Sequence, residues 1–163
     1  METLTLEQLA PYLPYGIPAK LSQKGIFNQD DEYPNPRTKE IGIIKNISFW
    51  YPEITGQLHI SETYSFDFDE IDEVDILLRP LTDLTKEIEH NGESFVVIDI
   101  LEQDENNDYL ADCNIWTQKL FEEQKILSLE FIPYGVMQIL FKYHFDVFGL
   151  IPKGLAKDIN QIK

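Results

Sequence analysis

The feature that most constrains this chain is the stretch "SETYSFDFDEIDEVDILLRP", Ser61 to Pro80. It carries seven carboxylates (Glu62, Asp67, Asp69, Glu70, Asp72, Glu73 and Asp75) before its first cation, Arg79. In a strand, successive side chains point to opposite faces. "SFDFDE" therefore sets Phe66 and Phe68 on one face and Ser65, Asp67 and Asp69 on the other. The rings demand a core and the carboxylates demand water or a cation. The stretch predicts an amphipathic strand, with Asp67, Asp69, Asp72 and Glu73 turned to solvent.

The neighbouring segments extend a sheet. "EIGIIKNISFWY" and "GQLHISETYSFDF" are β-rich, and "PEITG" between them suits a longer hairpin loop. "IPAKLSQKG" and "VDILLRP" predict short strands, and "SFVVIDIL" a buried one from its β-branched content. Helical signals are interleaved. In "LTLEQLAPYLPYG", Thr5 and Gln8 fit a capping box, Leu6, Leu9 and Leu13 share a face, and Pro11 and Pro14 end the helix early. Thr82 is placed to cap "DLTKEIEH", with Leu81, Leu84 and Ile88 on one side and Asn91-Gly92 as a left-handed stop. "IWTQKLFEEQKIL" is helical in pattern. "PYGVMQILFKYHFDVFG" is the clearest helix, with Pro133 in its first turn and Gly149 as its cap. Only Gln138, Lys142 and Asp146 give it a polar stripe, so it should be mostly enclosed, with His144 as a packed histidine. "IFNQDDEYPNPRTKE" and "EQDENNDYLADCN" are polar loops. The expected fold is α+β: one domain over residues 1–163, an antiparallel sheet of four to six strands, and three to four helices.

Charge is distributed unevenly. Of the 163 residues, 13 are Lys or Arg and 29 are Asp or Glu, for a net charge of −16. Residues 1–60 hold five cations and seven anions, residues 61–112 two and seventeen, and residues 113–163 six and five. The middle third repels phosphate, which excludes direct nucleic-acid binding there and attachment to an anionic membrane surface. A basic protein is attracted to it. No run approaches the ~18 apolar residues of a membrane span. The first residues lack a cationic stretch before an apolar run, and the single cysteine, Cys113, precludes an internal disulfide. These traits point to a cytosolic protein.

Three uses of the carboxylates compete. A calcium loop of the EF-hand kind needs oxygens at positions 1, 3 and 5, glycine at 6 and glutamate at 12. Counted from Asp67, position 5 is Ile71. Asp104, Asn106 and Asp108 fit the first three, but Tyr109 and Ile115 stand where glycine and glutamate belong. His59, His90 and His144 are too dispersed in sequence for a zinc motif. No metal or other cofactor is therefore expected. The second use is imitation of a nucleic acid. Carboxylates two apart on a strand lie about 6.6 Å apart at a rise of ~3.3 Å, against a phosphate every ~3.4 Å in one DNA strand. Imitation would need a wider patch, adding the 99–112 loop or Glu87, Glu89 and Glu93. The third use is solubility and protection of a strand. Solubility predicts mixed signs, whereas two cations meet seventeen anions here.

No catalytic signature occurs: no "GxSxG", phosphate loop, dinucleotide glycine pattern or "HExxH". No catalytic residue and no enzyme activity are expected. In "SFWYPEI", Phe49, Trp50 and Tyr51 are consecutive, so they cannot all face one core. Trp50 and Tyr51 are candidate interface anchors beside the carboxylates, with closure of the core at a hairpin end as the alternative for Trp50.

Two blocks, "LLRPLTDLTKEIEHNGESFVVIDIL" and "FKYHFDVFGLIPKGLAKDIN", resemble small proteins encoded in bacterial prophages, over about half the chain from Leu77 on. The resemblance implies phage origin without enzyme activity, and it transfers no site residue. Small acidic prophage proteins include anti-CRISPR proteins, which bind basic RNA-guided nucleases. The expected function is thus a non-enzymatic inhibitor of a basic host nucleic-acid enzyme, an RNA- or DNA-guided nuclease such as a type VI RNase. The alternative is a phage structural or assembly protein.

Overall fold

The computed structural model describes residues 3–22, 40–50, 53–61, 64–102 and 132–162. The polar loop of residues 26–39, Cys113, the helix expected from "IWTQKLFEEQKIL" and Asp104, Asn106 and Asp108 lie outside them, as do Tyr51 and the side chain of Trp50. The fold is α+β. Its strands are β1 (Ile17–Leu21), β2 (Gly42–Trp50), β3 (Glu53–Ser61), β4 (Tyr64–Phe68), β5 (Val74–Leu78), β6 (Glu87–His90), β7 (Glu93–Val96) and β8 (Lys157–Asp158). Its α-helices are α1 (Leu6–Leu9), α2 (Val97–Glu102) and α3 (Tyr134–Lys142). The contacts gather into two units, Met1–Leu78 with Gly149–Lys163, and Arg79–Phe148. Among the described residues, no helix is long and apolar enough to cross a membrane.

The first unit is a six-stranded sheet in the order β4-β3-β2-β1-β5-β8. Every pair is antiparallel except β5 with β8, which makes the sheet mixed. Ile17, Ala19 and Leu21 of β1 and Ile76, Leu77 and Leu78 of β5 are buried, as the central strands of a covered sheet must be. The Thr5 N–H donates to Gln8 Oε1 at 3.0 Å in the predicted capping box, and α1 stops after one turn. The chain continues as a 3-10 turn, Ala10–Tyr15, through both prolines. The hairpin loop expected at "PEITG" is shorter than that. Trp50 pairs with Glu53, so Ile54, Thr55 and Gly56 are strand and the connection spans positions 51 and 52. The β-rich run of residues 56–68 is likewise two strands, joined across a Ser61–Tyr64 pair.

The second unit corrects three expectations. No helix spans residues 83–90. Leu81–Asp83 is a 3-10 turn, and β6 pairs with β7 around Asn91 (φ 54°) and Gly92 (φ 82°). Two consecutive positive φ values make the two-residue turn that matches strand twist, and Asn-Gly is its preferred sequence. Leu84 and Ile88 are buried as foreseen, but from a turn and a strand. The strand expected over "SFVVIDIL" ends at Val96. Val97 and Leu101, four apart and both buried, then form one face of α2.

The third correction concerns the end of α3, which stops at Lys142 rather than near Gly149. The His144 N–H donates to Phe141 O at 3.1 Å and the Phe145 N–H to Leu140 O at 2.9 Å, with His144 at φ 61°. These are the two bonds of a Schellman cap, with histidine in the left-handed position that glycine usually fills. Val136, Leu140 and Phe141 are buried, but Tyr134, Gly135, Gln138 and Lys142 are exposed, so the helix buries one face rather than being mostly enclosed; His144 is buried as expected. Asp146, expected on the polar stripe, is buried instead because the helix has already ended. Its N–H donates to Arg79 O at 2.8 Å, beside a bridge between Arg79 and Phe145.

Candidate acidic interface

Strand β4 is one end of the strand order, and its alternation is the predicted one. Phe68 is buried and Phe66 half-buried, whereas Ser65, Asp67 and Asp69 are exposed. Asp67 stands opposite Gln57 of β3 and accepts from Gln57 Nε2 at 2.8 Å. The chain then turns through Ile71–Glu73, a single 3-10 turn. Asp72 is exposed there, but Glu73 is only 7% exposed. This corrects the solvent-facing placement of Glu73. Its Oε2 accepts the Asp69 N–H at 3.1 Å, a charge-assisted bond that closes the turn, while Ser22 clamps the same turn from the end of β1. The Ser22 N–H donates to Glu73 O at 2.8 Å and Ser22 Oγ to Asp72 O at 2.6 Å. Asp67 is thus displayed by the edge strand β4 and Asp69, Glu70 and Asp72 by the turn that follows it, and Glu73 is part of the frame that holds that turn.

Where this turn enters β5, near β8, lies a cleft of about 250 Å³, wholly within the first unit. Leu4, Ile71, Val74 and Ile76 supply apolar wall, and Asp72, Asp75 and Lys157 supply charge. Lys157 Nζ lies 2.6 Å from Asp75 Oδ2.

In the second unit, Glu87, Glu89 and Glu93 are exposed on the hairpin. Both cations of residues 61–112 also belong to this unit. Lys86 is 2.6 Å from the buried Asp83 carboxylate, and Arg79 Nη2 donates to Glu89 O at 2.8 Å. Arg79 Nε is buried and has no hydrogen-bond partner among the described residues. Burial works against the Arg79 charge and the nearby Asp83 works for it. His90 packs edge-on against Tyr143 at 5.2 Å and tilted against His144 at 5.6 Å. Burial, then Arg79 and then Lys142 hold the His90 imidazole below its usual range. Sequence reasoning missed this pairing. Its one trace was the Asn-Gly turn after His90, which reverses the chain there.

Among the described residues, no group of three or more His, Cys, Asp or Glu side chains could hold a metal ion. Comparison with protein-family models, curated proteins and solved structures finds no match to this chain.

Proposed function

We propose that the chain is a non-enzymatic inhibitor that docks its acidic sheet edge on a basic host protein. The observation that carries this reading is the display of Asp67, Asp69, Glu70 and Asp72 along β4 and the turn after it. No Lys or Arg occurs in the sequence between residues 61 and 78. A field of one sign steers a partner of the opposite sign and raises its association rate. The resemblance to prophage proteins narrows the partner to a host nucleic-acid enzyme, whose own ligand is a polyanion. An RNA-guided nuclease, with a type VI RNase tested first, has the required basic channel.

The test is a cleavage assay with purified effector and guide, run with and without this protein over a series of salt concentrations. Inhibition that weakens steeply with salt is expected, because the Debye length shrinks to ~8 Å at physiological ionic strength. Self-association without effector binding would replace the inhibitor reading with a phage assembly role.

A further inference from the structure

Among the described strands, β4 has a neighbour on one side only, and the peptide geometry of β3 fixes which of its residues face the open side. A Cβ on Gly42 would lie 2.6 Å from His59 O, and one on Gly56 would lie 2.7 Å from Asn46 O. The His59 carbonyl is therefore turned to β2, and the Asn46 carbonyl to β3. The Ile47 N–H belongs to the same peptide as the Asn46 carbonyl, so it points away from Gly56, its partner in register. A strand residue turns its N–H and C=O to the same side. His59 thus bonds β2 rather than Ser65, and Gly56 bonds Phe68 rather than Ile47. Along β4, Phe66 and Phe68 then face β3, while Ser65 and Asp67 turn their N–H and C=O groups to the open edge. The next residue in that series is Asp69. Its N–H is taken by Glu73 Oε2 at 3.1 Å, which closes the edge at that point.

Outward N–H and C=O groups on alternate residues are what an added strand pairs with. The side chains decide which strand fits. Asp67 is exposed on one face, where Gln57 Nε2 donates to its Oδ1, and the half-buried Phe66 lies on the other. Edge strands are commonly guarded by charge, lysine above all. A carboxylate guard turns away acidic strands, a second copy of this chain included, since that copy brings its own Asp67 and a net charge of −16. A cationic strand meets no such barrier. We propose that an extended segment of the partner adds to the sheet beside β4, its main chain paired with Ser65 and Asp67 and an arginine or lysine set across from Asp67. Cβ atoms directly across a strand pair lie about 4.5–5.5 Å apart, within reach of either cationic head. The residue opposite Phe66 falls on the ring's face and is apolar. In antiparallel pairing the segment reads cation, apolar residue, then a β-branched or small polar residue across from Ser65.

The proposal rests on the acidic edge being the docking surface, and it is tested on the full chain with the peptide Ac-Thr-Val-Arg-Val-Thr-Val-NH2. One control peptide replaces its arginine by glutamate. Another carries an N-methyl group on the threonine after the arginine, the residue placed opposite Ser65. Amide hydrogen exchange is read by NMR. In the free protein Ser65 and Asp67 should exchange fast, and Phe66 and Phe68 slowly. At a peptide concentration tenfold above its midpoint, exchange at Ser65 and Asp67 should slow about tenfold. The glutamate and N-methyl peptides should leave it fast. Asp67→Asn should raise the midpoint of the arginine peptide about threefold, as for an exposed ion pair. Unchanged β1 amide shifts in that variant establish that the fold is intact. Ser65 and Asp67 amides already protected in the free chain would overturn the proposal, as would equal binding of the N-methyl peptide. If N-methylation costs nothing while the arginine peptide still outbinds the glutamate one, strand pairing fails and charged docking stands. If no peptide binds but salt-dependent inhibition of the effector persists, strand pairing again fails alone. Loss of both ends the docking reading as well.

Discussion

Gly56 lies in β3 between Ile47 of β2 and Phe68 of β4. Strand propensity alone predicts that Gly56→Ala stabilises the protein by roughly 0.5–1 kcal/mol, since glycine loses the most freedom on folding. The structure predicts the opposite sign. A Cβ at this position would lie 2.6 Å from Phe68 Cζ and 2.7 Å from Asn46 O. Phe68 is 1% exposed and has little space to yield, and Asn46 O is backbone next to the irregularity between Ile44 and Asn46. Overpacking of this kind costs about 1–3 kcal/mol. Urea unfolding should therefore show the midpoint falling by on the order of 1 M, given slopes of ~1–3 kcal/mol/M. Gly135→Ala is the matched control. It lies in α3 with nothing among the described residues within 4 Å of its added Cβ, so it should gain up to ~1 kcal/mol. A Gly56→Ala protein as stable as the parent would refute the β3–β4 register. The outward display of Asp67 and Asp69 would fall with it, because one residue of slip reverses both faces.

Leu140→Ala should cost about 2–5 kcal/mol in the same urea assay, because Leu140 is fully buried in α3. The triple variant Asp67→Asn, Asp69→Asn, Asp72→Asn should keep its melting temperature or raise it, and should slow association with a basic effector in stopped-flow measurements. Glu73→Ala should instead lower stability by about 1–3 kcal/mol on denaturation, since it removes the charged acceptor of the part-buried hydrogen bond from the Asp69 N–H. His90 binds its proton less tightly folded than unfolded, so its contribution to stability is present above the unfolded value of about 6.5 and is lost as pH falls through that value towards the folded one. Arg79, Lys142 and the buried His144 surround it, with Glu93 as its cross-strand partner. Melting followed from pH 7.5 to 5 should show a decline that His90→Gln reduces.

The elements readable in the sequence were those set by local physics. Alternation of Phe66, Asp67, Phe68 and Asp69 placed rings inward and carboxylates outward whatever the strand paired with. The Thr5–Gln8 cap involves groups three residues apart, and it formed where it was expected. The enclosed face of α3 followed from its 3.6-residue period. What the sequence left open depended on partners distant along the chain. Leu81, Leu84 and Ile88 fit a helix face, and tertiary burial was equally served by a turn and a strand. The choice fell to Asn91-Gly92, whose paired left-handed residues brought β7 back onto β6. Glu73 sits in a run of acids that differ little in sequence. It alone among Asp67, Asp69, Asp72 and Glu73 is buried, because the 3-10 turn aims it at the Asp69 N–H. The helix end at Lys142 was hidden by a histidine in the left-handed cap position. Nothing local forces His144 there, but Arg79 holds both sides of it, through the carbonyl of His144 and the N–H of Asp146. Short-range periodicity and capping are written in neighbouring residues, whereas the choice among equally apolar arrangements is made by hydrogen-bond partners that only the folded chain brings together.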